Sequence, residues 1–213
     1  HGPRVQAFQA PQGHLRGGLI VGTSADKSVQ DGPADLTAVV HGATVTVRDA
    51  ALSEELHGKG SFGWFQDSPS LVLSLSEAHF LLERERIEVV DEKGEKLDID
   101  GLVRHASTVE EDFFLRYRVY RDLRVRGYVV KSGLKYGTHF RVYERGVRPR
   151  KGRRSVQEHA KFLVHATSES YQCSVPELTR LVRLAHSVKK RIWMGVVDSE
   201  GDVTYLQIIR VTP

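Results

Sequence analysis

The first half of the chain carries the hydrophobic patterns of short strands and helices. Residues 36–47, LTAVVHGATVTV, alternate apolar and polar positions and are rich in β-branched residues, which predicts one or two strands that turn at Gly42. The segment LSEELHG at 52–58 predicts a short helix. Residues 58–70, GKGSFGWFQDSPS, contain the Gly, Ser and Pro residues that are typical of a loop.

A stronger helix signal follows this loop. Ser74 stands three residues before Glu77, which is the spacing of a capping box, so we expect a helix of about two to three turns that ends near Glu85. RIEVVD at 86–91 then predicts a strand, and EKG at 92–94 its turn. These elements predict a small α/β unit that ends near residue 105.

The second half opens with an amphipathic helix. Its apolar and aromatic residues repeat at helical spacing, and Gly127 stands where a C-terminal cap belongs. The residues predicted to face inward are Phe113, Phe114, Tyr117, Tyr120 and Leu123. Residues 128–143, YVVKSGLKYGTHFRVY, then predict two strands joined by a glycine-containing turn.

The rest of the chain continues this mixed pattern. HAKFLVHA at 159–166 predicts a strand, and Ser174, three residues before Glu177, begins a well-signalled helix with Pro176 in its first turn. Residues 191–211 predict a closing hairpin. The fold class is therefore α+β: an N-terminal extension at 1–35, a small N-terminal α/β domain at 36–105, and at 106–213 a C-terminal domain with a mixed sheet and flanking helices.

Composition narrows the classes of protein that this chain can represent. The 213 residues are 40% hydrophobic and 27% charged, as in an ordinary water-soluble globular protein, and no apolar run is long enough to span a bilayer. We therefore expect a cytoplasmic protein that does not act on membranes. The single cysteine, Cys173, excludes an internal disulfide framework and any site built from several thiolates.

Charge is distributed unevenly along the chain. The formal net charge is only +4, with a pI near 9.2, but six cations lie at 145–154 while the acids concentrate in the first half. Such a dense basic run cannot belong to a core. It is either a solvated loop or a surface that binds a polyanion such as RNA.

Three side chains at the ends of elements form a candidate catalytic set. Tyr143 ends a predicted strand, His159 begins the next, and Lys190 follows a helix. Each also has an ordinary interpretation: an interface tyrosine, a loop histidine and a lysine that satisfies the last helix carbonyls. Together they supply a base, an acid and a cation for metal-free RNA cleavage. The sequence has no phosphate-binding loop, no serine-nucleophile motif and no carboxylate or histidine cluster of a metal site, so we expect no cofactor.

At this point the sequence resembles the C-terminal domain of the archaeal tRNA-splicing endonuclease family. The resemblance rests on YRVYRDLRVRGYVVKSGLKYGTHFRVYERG, a histidine-led strand, and ELTRLVRLAHSVKKRIWMGVVDSEGDVTY, in that order, and it covers about residues 113–213. LSLSEAHFLLERERIEVVD is similar to the N-terminal domain of the same family. The resemblance therefore extends from about residue 36 onward.

The resemblance implies roles for individual residues. It implies cleavage of precursor tRNA at bulge-helix-bulge sites without a metal, leaving a 2′,3′-cyclic phosphate and a 5′-hydroxyl. Tyr143 matches the general base, His159 the general acid and Lys190 the cation that stabilises the transition state. Arg183 matches an arginine that stacks on an extruded base, and Tyr205 stands where some members carry a second clamping arginine.

The segment between Tyr143 and His159 departs from the family, because about six residues are inserted there and most are basic. The resemblance makes it an added RNA-contacting loop. The residues expected to contact RNA are Arg148, Arg150 and Lys151.

The resemblance also implies assembly with a partner chain. The acidic turn with Asp198, Glu200 and Asp202 matches one that docks into a neighbouring chain in this family, although it also fits an ordinary hairpin turn. Basic insertions are similar to those of crenarchaeal members, which favours an α2β2 heterotetramer with a structural subunit, with a homo-oligomer as the alternative. The competing functional hypothesis is a non-catalytic RNA-binding structural subunit. Retention of the tyrosine, histidine and lysine favours the enzyme.

Overall fold

A computed structural model describes residues 35–66, 69–147 and 159–211. The predicted N-terminal extension, apart from residue 35, and most of the basic run lie outside these ranges. Within them, the chain forms two mixed sheets with helices packed on them, which confirms the predicted α+β class. No helix in these ranges is long and apolar enough to cross a membrane.

The N-terminal sheet has six strands in the described ranges, in the order β3-β4-β2-β1-β5-β6. Its central strand β1 pairs parallel with β5 and antiparallel with β2. The strands are β1 Thr37–His41, β2 Thr44–Val47, β3 Trp64–Phe65, β4 Leu71–Ser74, β5 Glu88–Val90 and β6 Lys96–Leu97. The helices that belong with this sheet are α1 Ala50–Gly60, α2 Leu75–Leu82 and α3 Ile99–Val109.

Local signals explain most of these elements. Gly42 has a φ of 54° in the tight turn between β1 and β2, as predicted. Ser74 caps α2, with both hydrogen bonds of the capping box to Glu77. Two predictions were wrong in detail. Helix α2 ends at Leu82 rather than near Glu85, and the segment at 58–70 contains the end of α1 and strand β3, because pairing with β4 gives Trp64 and Phe65 a strand conformation.

Helix α4, Phe113–Val125, is the long helix that the aromatic stripe predicted. Tyr117, Tyr120 and Leu123 are buried, and Gly127 follows the helix with a φ of 86°. Phe114 was wrongly assigned to the buried stripe, because it is 54% exposed and its ring lies under the Arg118 guanidinium instead.

The C-terminal sheet has the order β11-β10-β9-β8-β7. Strands β9 and β10 pair parallel, and the other neighbours pair antiparallel. The strands are β7 Val129–Ser132, β8 Phe140–Tyr143, β9 Phe162–Ser168, β10 Arg191–Val197 and β11 Val203–Ile208. Helix α5, Val175–Ser187, follows β9, and a short 3₁₀ turn at Leu134–Tyr136 joins β7 to β8.

Helices α4 and α5 cover opposite faces of the C-terminal sheet. Phe162 and Val164 of β9 point into the main core with α4, while Leu163 between them packs with Ala185 of α5. The main core continues through α4 into the N-terminal sheet, since α4 also contacts α2 and α3. The face of the sheet that carries α5 extends past the end of this helix, and the candidate catalytic residues lie on that part.

Candidate active site

Tyr143 is positioned by the alternation of strand β8. Val142 pairs with Phe162 and points into the α4 core, so Arg141 and Tyr143 point to the opposite face. The Tyr143 side chain is 7% exposed and packs with Val129 and Ala160. This burial raises the pKa of the Tyr143 hydroxyl, while the nearby positive charge of Arg141 acts in the opposite direction. In the free protein Tyr143 is therefore a neutral phenol at neutral pH.

Lys190 is positioned by the C-terminal end of helix α5. Lys189 adopts a φ of 55°, and the backbone amide of Lys190 donates to the carbonyl of Ala185 at 2.8 Å, which is the pattern of a Schellman motif. Because backbone amides satisfy these helix carbonyls, the Lys190 side chain is not needed to cap the helix. Its Nζ donates to the carbonyl of Ala160 at 2.9 Å and lies 5.7 Å from the centre of the Tyr136 ring.

His159 is exposed and is the first described residue after the basic run. The chain is anchored immediately after it, because Ala160 is buried and the amide of Lys161 donates to the carbonyl of Val142 at 2.9 Å. The start of β9 thus holds the backbone of His159 at one end of the sheet.

The three candidate catalytic residues converge on Ala160. Tyr143 packs against it, Lys190 donates a hydrogen bond to its carbonyl, and His159 directly precedes it in the chain. The chain positions that carry a phenol, an imidazole and an ammonium group therefore lie around one residue at one end of the sheet. This set can accept a proton, donate a proton and offset negative charge without a metal.

The proposed RNA-clamping residues are not brought together within the chain. Arg183 is exposed on α5, beside a groove that also contains Val182 and Ile208. Tyr205 points to the other face of the sheet, where its hydroxyl donates to Asp122 at 2.9 Å. Tyr205 is held by α4 in this chain, and the contacts of Arg183 and Tyr205 with RNA stay predictions.

Only the start of the basic run is described. The guanidinium carbon of Arg145 lies 4.9 Å from the centre of the Tyr128 ring, a cation–π contact two residues beyond Tyr143. Arg148, Arg150 and Lys151 lie outside the described residues, so their contact with RNA stays a prediction.

Sequence reasoning missed residues that lie beside Tyr143. A cleft of about 330 Å³ separates the N-terminal sheet edge from β7 and β8, and we call it the Tyr143 cleft. Its lining includes His57, Trp64, Lys131, Arg141 and Tyr143. A period of two along FRVY was sufficient to place Arg141 on the face of Tyr143, but no local signal indicated Trp64.

Within 35–66, 69–147 and 159–211, no group of three or more His, Cys, Asp or Glu residues is arranged to hold a metal ion.

Comparison with known proteins identifies both halves of the chain. Residues 36–103 match the model of the tRNA intron endonuclease N-terminal domain, and residues 113–205 match that of the catalytic C-terminal domain. The tRNA-splicing endonuclease of Thermococcus kodakarensis is 42% identical over 153 residues, 72% of this chain and 84% of the relative. That of Pyrococcus abyssi is 38% identical over 163 residues, 76% of this chain and 88% of the relative.

A third relative comes from another archaeal genus. The tRNA-splicing endonuclease of Methanothermobacter thermautotrophicus is 36% identical over 169 residues, which is 79% of this chain and 94% of the relative. These matches confirm the resemblance seen in the sequence. The chain belongs to the tRNA intron endonuclease family.

Proposed function

We propose that the chain is a metal-independent endonuclease that removes introns from precursor tRNA at bulge-helix-bulge sites. The observation that carries this proposal is the convergence of Tyr143, His159 and Lys190 on Ala160. The names of the relatives, tRNA-splicing endonucleases, support the choice of substrate.

The proposed reaction is an in-line attack within the RNA. The 2′-oxygen before the scissile phosphate attacks phosphorus, and the phenolate of Tyr143 accepts the proton that this oxygen loses. The bond from phosphorus to the 5′-oxygen breaks, and His159 donates a proton to that oxygen. Lys190 offsets the negative charge that grows on the phosphorane. The products are a 2′,3′-cyclic phosphate and a 5′-hydroxyl. The proton that Tyr143 takes up balances the proton that His159 gives.

Each step suits the environment of its residue. Exposure leaves His159 accessible to a leaving group on a large RNA. The buried Tyr143 holds its proton in the free protein, so it must first lose that proton to solvent before it can act as a base. The positive charge of Arg141 lowers the pKa of the phenol and favours this phenolate.

Two surface features support assembly with a partner. Strand β11 is an edge of the C-terminal sheet, and it and the residues after it expose Leu206, Ile209 and Val211. We propose that this edge pairs with another chain, in an α2β2 heterotetramer with a structural subunit or, alternatively, in a homo-oligomer.

The acidic turn between β10 and β11 is held by hydrogen bonds of its own. The Asp198 carboxylate accepts from the backbone amides of Glu200 and Asp202, at 3.0 and 2.8 Å. Gly201, with a φ of 86°, lies against Arg118 so closely that an added Cβ would come within 2.6 Å of its guanidinium. A preformed turn with exposed carboxylates at Glu200 and Asp202 suits the proposed insertion into a basic site on a partner.

The test compares two histidines at the same end of the molecule. His159→Ala should reduce cleavage by about 10²–10⁴-fold in EDTA while RNA binding changes little, because a general acid acts on the rate. His186→Ala, an exposed histidine on α5, is the matched control and should cleave normally.

Loss of binding in parallel with cleavage would contradict the role of His159. If the wild-type chain never cleaves, even with its partner, but binds precursor tRNA, it is the non-catalytic structural subunit instead.

A further inference from the structure

The Tyr143 cleft is lined by a partly exposed aromatic ring at the edge of the N-terminal sheet. Trp64 lies on β3, at the outer edge of the N-terminal sheet, and is 40% exposed. Its ring makes no aromatic or cation–π contact with any side chain in the described ranges. Phe114, the other exposed large aromatic on a regular element, is by contrast covered by Arg118 at 5.0 Å. Trp64 thus presents an unoccupied indole face to the cleft.

The same cleft contains an arginine whose Nε atom has no hydrogen-bond acceptor within the described residues. The Nε atom of Arg141 is shielded from solvent, and within the described residues it has no hydrogen-bond acceptor and Arg141 forms no ion pair. The other cation of the cleft is already neutralised, because Lys131 donates to Glu77 at 3.2 Å and to the Gly63 carbonyl at 2.8 Å. A shielded N–H donor without an acceptor is costly, and an anion that accepts a hydrogen bond from Nε would remove that cost.

The size of the cleft limits what can occupy it. A volume of about 330 Å³ is at the lower end of the ~300–1,000 Å³ range of small-ligand sites, so it suits one nucleotide and excludes a double helix. Tyr143 lines the cleft, and the nucleotides joined to the scissile phosphate must lie directly beside Tyr143.

We infer that the Tyr143 cleft binds a single unpaired nucleotide next to the scissile phosphate, with its base stacked on Trp64 and its phosphate on Arg141. This inference rests on the proposed function, since it places the scissile phosphate at Tyr143. Stacking on an indole tolerates every base, so the site reads an extruded nucleotide rather than its sequence. The N-terminal sheet thereby contributes directly to substrate binding.

The test uses precursor tRNA that cannot be cleaved, with a 2′-deoxy sugar before the scissile phosphate and the fluorescent base 2-aminopurine on each side of that phosphate in turn. One of the two positions should lose fluorescence on binding through stacking on Trp64. Trp64→Ala should restore that fluorescence and weaken binding about 5- to 150-fold. Trp64→Phe, which keeps an aromatic face, should retain most of both signals.

The role of Arg141 is measured by salt dependence. Arg141→Ala should lower the slope of log K against log salt by ~0.7–0.9, as expected for one lost phosphate contact. Lys96→Ala is the matched control, because Lys96 is an exposed cation of the N-terminal sheet, remote from the cleft lining and paired with Glu88. It should leave the slope unchanged.

The outcome separates this inference from the proposed function. If Trp64→Ala leaves fluorescence and affinity unchanged at both positions, the nucleotide site is wrong, even in a protein that cleaves normally. If the wild-type protein binds with the expected fluorescence loss but never cleaves cleavable RNA, the nucleotide site stands and the catalytic proposal fails.

Discussion

The buried pair between Glu77 and Lys131 gives the sharpest test of how the two sheets are joined. Lys131 of β7 lies 3.2 Å from the carboxylate of Glu77 on α2, and the two side chains are 15% and 5% exposed. Glu77 also accepts hydrogen bonds from the amides of Gly63 and Ser74, at 2.9 and 3.0 Å. The Glu77 carboxylate therefore connects three parts of the fold: α2, the segment before β3 and the C-terminal sheet.

We predict that Lys131→Met strongly destabilises the protein. Removal of one partner of a buried ion pair typically costs ~3–5 kcal/mol, because the other charge stays buried without compensation. The remaining hydrogen bonds to Glu77 place the expected loss at the lower end, about 3 kcal/mol. That is a large part of the ~5–15 kcal/mol by which a typical domain is stable. With an m-value of ~1–3 kcal/mol/M in urea, the unfolding midpoint should fall by about 1–3 M.

The chain provides a matched control for this substitution. Lys96 pairs with Glu88 at 2.8 Å, closer than Lys131 and Glu77, but the two side chains are 64% and 51% exposed. Lys96→Met should therefore cost only ~0–1 kcal/mol. Urea unfolding followed by circular dichroism measures both variants.

A double variant isolates the interaction itself. Adding Glu77→Gln to Lys131→Met removes the uncompensated carboxylate, so the double variant should lose less stability than the sum of the single variants. Equal losses for Lys131→Met and Lys96→Met would refute the reasoning, because burial would then have no influence on the cost of breaking the pair.

Three further predictions concern acid stability, assembly and RNA affinity. Burial lowers the pKa of His139 to about 3, together with His165, whose ring stacks on that of His139 with 4.5 Å between the ring centres. The unfolded chain binds this proton below about pH 6.5, so stability should fall by up to ~1.4 kcal/mol per pH unit from there toward pH 3, and His139→Asn should flatten that slope in urea titrations. Reversing Glu200 and Asp202 to lysine should dissociate the assembly and abolish activity while each chain stays folded; an unchanged sedimentation profile would show that the turn does not dock. Replacing three cations of the basic run by serine should flatten the salt dependence of RNA binding. Unchanged binding and cleavage would show that this segment is a solvated insertion. The three cations are Arg148, Arg150 and Lys151.

Interactions between residues close in the chain could be predicted from the sequence. The three-residue spacing of Ser74 and Glu77 predicted the start of α2, and Gly42 and Gly127 predicted a turn and a helix end. The family could also be recognised from the sequence alone, since the resemblance rests on continuous motifs, and the comparisons confirm it. Helical periodicity nonetheless placed Phe114 on the wrong side of its stripe, because the edge of an apolar stripe depends on which surface the helix contacts.

What only the tertiary structure decided is which distant residues meet. The sequence predicted that Tyr143, His159 and Lys190 lie at the ends of elements, but only the packing of β8, β9 and α5 brings them to Ala160. Glu77 was predicted as a helix cap, and its second partner, Lys131, comes from the other sheet.

Trp64 shows the same limit most clearly. Its segment has the composition of a loop, yet pairing with Val72 of β4 makes it an edge strand and turns its ring toward the Tyr143 cleft. Strand pairing and burial depend on residues far apart in the chain, and their free energies outweigh local preferences. Hence the elements and the family follow from the sequence, whereas the cleft, which brings the exposed indole of Trp64 close to Arg141, exists only in the folded chain.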